Sequence, residues 1–115
     1  MSGSDIVRVG LLGEMIALAA LRRKGMKLVC RRYRGGSGEI DLVMQDGKTL
    51  VFTEVKYRPM GRVGDGLHAV MQDKRRRLRS AAAHYLAAHP GQLADVRFDC
   101  VEVTRAGIRH VKNAF

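Results

Sequence analysis

The sequence predicts an α/β fold, a mixed β-sheet flanked by helices, with the element order α-β-β-β-α-β-β. Two segments carry apolar residues at helical spacing, five shorter segments are rich in strand-forming residues, and turn residues separate them. The 115 residues suffice for one domain spanning positions 1–115. A hydrophobic content of 46% and a charged content of 28% exclude a disordered chain.

The first half predicts one helix and three strands. The helix covers residues 11–24, and its apolar stripe consists of Leu11, Met15, Leu18 and Leu21. Gly25 then supplies a left-handed cap. The strands follow over residues 26–33, 39–44 and 49–58. Between the last two strands, Asp46-Gly47 favours a tight hairpin turn.

The second half predicts a longer helix and two closing strands. The helix covers residues 67–88 with Asp65 as its N-cap, and His89-Pro90-Gly91 ends it. Its apolar stripe consists of Leu67, Val70, Met71, Leu78, Ala81 and Tyr85. The closing strands cover residues 95–104 and 107–111 and are joined at Arg105-Ala106.

The composition is strongly basic, since 21 Lys and Arg against 11 Asp and Glu give a formal net charge of +10. Such a domain attracts polyanions, nucleic acid first and an anionic membrane surface second. The longest apolar stretch, residues 11–21, contains Glu14 and is shorter than the roughly 18 residues of a membrane span. We therefore expect a cytoplasmic protein without a membrane partner, in which Cys30 and Cys100 are reduced.

The hairpin carries the candidate chemistry. A two-residue turn at the Asp-Gly dipeptide brings four charged side chains to one sheet face: Glu39, Asp41, Glu54 and Lys56. In this register Gln45 pairs with Lys48, and Asp41 and Glu54 are diagonal neighbours about 7–8 Å apart. A slip of one residue would send the two pairs of side chains to opposite faces.

Converging carboxylates repel one another, and a divalent cation neutralises them. Hard oxygen ligands favour Mg²⁺ or Mn²⁺. Lys56 beside them could orient a water molecule or stabilise charge that develops on a phosphate oxygen. The alternative is an ordinary Glu–Lys pair on the surface of the hairpin.

Glu14 lies inside the apolar stripe of the first helix. A buried carboxylate needs a partner, and the candidates are a metal-bound water or Lys56. Alternatively the helix is rotated and Glu14 is solvated, or the positive end of the helix dipole stabilises it.

The hairpin resembles a known family. Its two motifs, Gly38-Glu39-Ile40-Asp41-Leu42-Val43 and Val51-Phe52-Thr53-Glu54-Val55-Lys56-Tyr57-Arg58, are similar to the paired motif of the YraN-type proteins. These small bacterial proteins are assigned to the restriction-endonuclease-like, PD-(D/E)xK superfamily and are similar to archaeal Holliday-junction resolvases. The similarity also covers Gly13-Glu14, Ala69-Val70, Lys74, Arg76-Leu78 and the closing Asn113-Ala114-Phe115.

The resemblance implies a restriction-endonuclease-like fold and a role for each matching residue. Asp41 matches the metal-binding aspartate, Glu54 the second metal ligand and Lys56 the catalytic lysine. Glu14 matches the first-helix acid of the resolvases and is expected as a further ligand, directly or through water. This chain departs from the superfamily at one position, where the leading proline is Ile40.

Basic residues cluster in two runs that favour phosphate binding over a merely solvated face. Seven of the 21 lie at positions 22–34 and five at positions 74–79. The residues expected to contact nucleic acid are Arg58, Lys74, Arg75, Arg76 and Arg79. Lys74 either extends from under the helix into solvent or reaches the carboxylates and a bound phosphate.

The predicted function is hydrolysis of phosphodiester bonds in DNA by a metal-dependent endonuclease. Branched or structured DNA is the expected substrate, and a homodimer is left open. The alternatives are a non-catalytic nucleic-acid-binding module on the same fold and, more distantly, a basic adaptor for a protein complex. The intact set of Asp41, Glu54 and Lys56 favours the enzyme, because a pure binder has no need of clustered acids facing a polyanion.

Overall fold

A computed structural model describes residues 3–59, 72–91 and 95–115. The elements are α1 (Gly3–Arg23), β1 (Lys27–Gly35), β2 (Gly38–Asp46), β3 (Thr49–Arg58), α2 (Gln72–Ala88), β4 (Asp95–Thr104) and β5 (Gly107–Val111). This order confirms the predicted α/β fold with its mixed sheet and flanking helices. Neither described helix is long and apolar enough to cross a membrane.

Strands β3, β4 and β5 have the predicted bounds, whereas the first helix does not. The prediction that α1 begins at residue 11 is wrong, because the helix begins at Gly3. Residues 3–10 contain no proline, and an isolated glycine within a helix is tolerated. The predicted start of the second helix, with its Asp65 cap and residues 67–71, lies outside the described residues.

Within residues 3–59, 72–91 and 95–115, five strands form one sheet in the order β1-β2-β3-β4-β5. Neighbouring strands are antiparallel except β3 and β4, which pair in parallel from Thr49↔Asp95 to Arg58↔Thr104. A parallel pair requires a crossover connection, and α2 belongs to that connection. The sheet is therefore a three-stranded meander joined through a crossover to a closing hairpin.

The two helices of the described residues cover opposite faces of the sheet, each over its own buried cluster. The α1 cluster contains Ala17, Leu18 and Leu21, and the α2 cluster contains Leu78, Ala81 and Tyr85 as predicted. Met15 was expected in the α1 stripe, but 58% of it is exposed. The inward positions are instead 14, 17, 18 and 21, a spacing that gives the buried face to Glu14.

The β2–β3 turn lies one residue later than predicted. Asp46 pairs with Thr49, so the central turn residues are Gly47 and Lys48. Gly47 has a φ of 61°, which suits glycine at the first central position of a type II′ turn. The predicted pairing of Gln45 with Lys48 is therefore wrong, but the shift in register is even and by itself moves no side chain to the other face of the sheet.

A polar network joins four elements at this end of the sheet. Buried Asp99 accepts hydrogen bonds from Arg97, at 2.8 and 3.0 Å, and from His110 Nε2 at 2.7 Å. The Arg97 guanidinium also donates to Asp46 at 3.1 Å, and Lys24 Nζ lies 2.9 Å from His110 Nδ1. The network ties the end of α1 and the end of β2 to β4 and β5.

Candidate functional site

The alternation of β2 breaks at Asp41. Ile40 packs in the α2 cluster, whereas Leu42, two residues on, packs in the α1 cluster. Across from Asp41 on β1 lies Arg32, whose φ of 52° places it in the left-handed region. The alternation of side chains between the two faces of the sheet is therefore interrupted in both strands, and Asp41 lies at this interruption.

Strands β2 and β3 separate next to this break. Their pairing ends at Leu42↔Thr53, and the next pair in that register would be Asp41 and Glu54. The backbone N–H of Val55 instead donates to Asp41 Oδ2 at 2.8 Å. The predicted metal ligands Asp41 and Glu54 thus lie side by side at the point where the two strands separate, which we call the fork. The sequence had predicted a diagonal arrangement instead.

A cleft of about 710 Å³ opens between this fork and α2. Its acids are Glu39, Asp41 and Glu54, and its bases include Lys74 and Arg77 from α2. The turn at residues 35–38, which joins β1 to β2, lines it as well. The cleft therefore combines carboxylates with a basic helix face.

The two neighbouring acids have different surroundings. Burial first, and the adjacent Glu54 second, raise the pKa of Asp41 to about 8, against the lowering effect of the Val55 hydrogen bond. Glu54 Oε1 lies 3.1 Å from Lys56 Nζ and 3.4 Å from Lys74 Nζ. The Glu54–Lys56 pair is largely buried, with side-chain exposures of 17% and 11%, and is no ordinary surface pair.

Lys74 extends toward the carboxylates rather than only into solvent, which is one of the two geometries considered from the sequence. Its ammonium group reaches Glu54 while 44% of the side chain stays exposed. One face of Lys74 is thus available to a ligand in the cleft.

Glu14 is buried and bound by Arg32. The guanidinium donates to both carboxylate oxygens, at 2.7 and 2.9 Å to Oε2 and 3.2 Å to Oε1. Among the described side chains, the partner of Glu14 is thus a bidentate arginine rather than the predicted Lys56. Glu14 and Arg32 line a second cavity of about 400 Å³, which they share with Glu39 and Asp41.

Gly13 explains how α1 comes so close to the sheet. A Cβ atom at this position would overlap the side chain of Tyr57 on β3. Only glycine permits the approach that brings Glu14 to the fork. The second cavity accordingly lies between α1 and the strands β1, β2 and β3.

The carboxylates of Asp41 and Glu54 are hard oxygen donors, which suit a hard divalent cation. No group of three His, Cys, Asp or Glu side chains in the described part of the chain is placed to hold a metal. Two neighbouring carboxylates nevertheless fit Mg²⁺, which keeps several waters and takes further ligands from a substrate phosphate. Cys100 beside Glu54 is no nucleophile, because burial raises the pKa of its thiol to about 12.

Most of the predicted nucleic-acid contacts do not line the cleft. The Arg75 guanidinium lies 6.0 Å from the ring centre of Phe115, and that of Arg79 lies 5.2 Å from the ring centre of Phe98. Arg58 and Arg76 are exposed, Arg58 at the last position of β3. Of the predicted contacts, only Lys74 is part of the cleft wall.

Sequence reasoning missed two basic residues of the cleft, Arg34 and Arg77. Arg77 follows Lys74 by three positions, and residues three apart lie on the same face of a helix. That spacing was visible in the sequence and could have identified Arg77. Arg34 is the last residue but one of β1, beside the glycine-rich turn, and its Nε donates to Glu39 at 3.1 Å.

A profile of the uncharacterised protein family UPF0102 matches residues 13–103. The chain belongs to the UPF0102 family. A UPF0102 protein of Frankia casuarinae is 40% identical over 112 residues, covering 93% of this chain and 95% of the relative. One of Mycolicibacterium vanbaalenii is 41% identical over 112 residues, with 96% and 92% covered. One of Shewanella loihica is 39% identical over 115 residues and matches along 100% of both chains.

The family match includes the whole candidate site of this UPF0102 protein. Residues 13–103 run from Gly13 on α1, through the β2–β3 fork, to the bases of α2. The hairpin motifs predicted the YraN-type family. UPF0102 is that family, and the match therefore confirms the prediction. The match does not extend to residues 104–115, which include β5 and the closing Asn113-Ala114-Phe115.

Proposed function

We propose that this UPF0102 protein is a metal-dependent nuclease that hydrolyses phosphodiester bonds in DNA. The observation that carries the proposal is the pair Asp41 and Glu54, adjacent at the β2–β3 fork and open to a cleft with basic walls. Two acids held together beside lysines serve catalysis better than they serve stability. The resemblance of the hairpin to the restriction-endonuclease-like superfamily and its resolvases makes branched or structured DNA the proposed substrate.

Asp41 and Glu54 would hold Mg²⁺ or Mn²⁺ through one carboxylate each. When bound, the cation would neutralise the two acids and lower the pKa of a coordinated water. Glu14 would act through its neighbour Asp41 rather than as a ligand, since Arg32 occupies both of its oxygens. Lys56, with its ammonium at Glu54, would orient the attacking water and stabilise negative charge on the phosphate.

The basic surface supports a polyanionic substrate. The formal net charge is +10, and a phosphate backbone contributes affinity through such charges without regard to sequence. Lys74 would contact the phosphate within the cleft, and Arg58, Arg75, Arg76 and Arg79 would bind the backbone beyond it. Both cysteines are free thiols, which fits the proposed cytoplasmic location.

One observation favours a second candidate, a non-catalytic nucleic-acid-binding module. Glu54 already faces two ammonium groups, those of Lys56 and Lys74. In such a module these pairs would stabilise the fold, and DNA would bind to the basic surface without being cut.

Lys56→Ala separates the two candidates. The variant should bind DNA and Mn²⁺ nearly as tightly as the parent, because one contact among many is a small part of the affinity. Cleavage should fall by roughly 10²-fold or more, since a positioned group for proton transfer or charge stabilisation is lost. The measurement is single-turnover cleavage of labelled linear, flapped and four-way DNA with Mg²⁺ or Mn²⁺, and with EDTA as the blank.

Lys48→Ala is the matched control, since it removes the same charge at the exposed turn of the same hairpin. It should cut like the parent. If the parent binds the DNA panel but cuts none of it with either metal, the nuclease proposal fails and the binding module takes its place.

A further inference from the structure

We infer that the β1–β2 turn and the Arg77 face of α2 form a phosphate-binding subsite, which holds a second phosphate of the same nucleic-acid strand beside the scissile one. The inference rests on the proposed function for the identity of the strand. It assigns a task to Arg34 and Arg77, which lie in the cleft but have no part in the chemistry at Asp41 and Glu54.

The turn is seated directly on α2. A Cβ atom at Gly38 would overlap the backbone carbonyl of Arg77, and one at Gly36 would collide with Ser80. The backbone N–H of Ser37 donates to Ser80 Oγ at 3.0 Å. The glycines therefore let two elements meet without intervening side chains, and the resulting wall is fixed relative to α2.

The contact between the turn and α2 brings Arg34 and Arg77 to the same cleft. Arg34 lies just before the turn, and Arg77 lies on the helix surface that the turn covers. Both line the same cleft as Asp41 and Glu54. The cleft thus contains a basic wall next to its carboxylates.

Neither guanidinium is saturated by carboxylates. Within the described part of the chain, Arg77 makes no ion pair. Arg34 donates through Nε to Glu39, but their side-chain exposures are 81% and 39%, so the pair is weak. Most of the N–H donors of both arginines remain available to an anion.

Phosphate is the anion class that this arrangement fits. A guanidinium binds two phosphate oxygens with a planar pair of N–H groups, whereas an ammonium acts as a point charge. An acidic peptide offers carboxylates to the same N–H groups, and competition with poly-glutamate in the test below distinguishes the two anion classes. A polynucleotide places one phosphate at the proposed metal pair and presents the next one along the strand to the basic wall.

The test is binding of a short fluorescein-labelled single-stranded DNA in EDTA, followed by fluorescence anisotropy over a range of salt. Arg77→Ala should weaken binding about fivefold. It should also reduce the slope of log K against log salt by about 0.7, the share of one phosphate contact on a single strand. Arg77→Lys should restore the slope, and Lys48→Ala should change neither quantity.

Thermal melting and calorimetric titration with Mn²⁺ accompany the binding assay, because a subsite residue should alter neither stability nor metal affinity. Equal binding by the Arg77→Ala and Lys48→Ala proteins would overturn the inference, as would a parent that does not bind the strand. Displacement of the DNA by poly-glutamate as readily as by unlabelled DNA would also overturn it, because the wall would then recognise carboxylates.

The outcomes for the two proposals are distinct. If binding depends on Arg77 but no DNA is cut with Mg²⁺ or Mn²⁺, the subsite stands and the nuclease proposal fails. If DNA is cut and Arg77→Ala binds it like the parent, the nuclease proposal stands and the subsite fails.

Discussion

Asp41 lies in surroundings that disfavour the ionised form of its carboxyl group. The carboxylate is buried beside Glu54, and both effects raise its pKa to about 8, although Val55 N–H donates to it. This arrangement costs stability, since apolar or amide side chains would avoid the repulsion, and the cost supports the ligand role proposed for Asp41.

Asp41→Asn should raise the melting temperature in EDTA at alkaline pH. The pKa of Asp41 rises from 3.8 to about 8 on folding, so between these values the folded state holds a proton that the unfolded state has lost. Parent stability therefore falls as pH increases through that window. The variant should lack this decline, and it should melt like the parent near pH 4. Calorimetry should show that it no longer binds Mn²⁺.

Asp95→Asn is the control for this experiment, because Asp95 is an exposed acid at the start of β4. It should keep the parent's pH profile. A stability difference between parent and Asp41→Asn that stays constant from pH 4 to pH 8 would contradict the assignment of the raised pKa.

At the residue scale, the sequence predicted which acids lie close together but not what they contact. Glu14 was identified because it interrupts an apolar stripe, and it is indeed buried. Its partner Arg32 could not be predicted, because a left-handed φ at a residue other than glycine is imposed by the surrounding sheet. Arg77 could have been found from its spacing to Lys74.

At the scale of elements, the close approach of α1 to the sheet depends on a residue without a side chain. Two glycines of α1 illustrate this. A Cβ at Gly13 would overlap Tyr57, whereas a Cβ at Gly10 would meet nothing within 4 Å. The same substitution should therefore have opposite effects one helical turn apart.

Gly10→Ala should stabilise the protein by about 0.5–1 kcal/mol, because alanine is the better helix former and no neighbour is displaced. Gly13→Ala should destabilise it by about 1–3 kcal/mol, since Tyr57 or the helix must shift. Urea unfolding of the two variants measures both effects. A stabilised Gly13→Ala protein would mean that α1 does not lie this close to β3.

Elements were predictable where local pattern governs them. The bounds of β3, β4 and β5 follow from alternation and turn residues alone. The β2–β3 hairpin was predicted, but its turn lies one residue later than predicted, so glycine takes the first central position rather than the second, and only the pairing distinguishes these. The early start of α1 was missed because apolar spacing begins later than the helix.

At the scale of the whole molecule, the polar network around Asp99 joins parts of the chain that no local pattern relates. Lys24 and His110, which meet in it, are 86 residues apart in sequence. Burial alone would raise the pKa of Asp99, but hydrogen bonds from His110, Arg97 and the Asn113 N–H outweigh burial and lower it. The folded state therefore depends on an ionised Asp99.

Asp99→Asn should lower the free energy of unfolding at neutral pH and flatten its decline in acid. A carboxylate whose pKa is lowered by folding stabilises the protein above its unfolded pKa, and this contribution is lost as pH falls through the folded value. Urea unfolding of parent and variant from pH 7 to pH 2 measures both effects. Identical acid profiles for parent and variant would show that Asp99 does not control acid unfolding.

The two edges of the sheet bear on how concentrated solutions of this protein should behave. An open strand edge can template intermolecular pairing, and short or charged edges prevent it. β5 has only 5 residues, and the longer edge strand β1 exposes Lys27, Arg31, Arg32 and Arg34. Two copies meeting along β1 would bring like charges together within the ~10 Å over which charges interact at 0.1 M salt. Colloidal stability should therefore weaken as ionic strength rises, because screening removes the barrier that keeps the β1 edges apart.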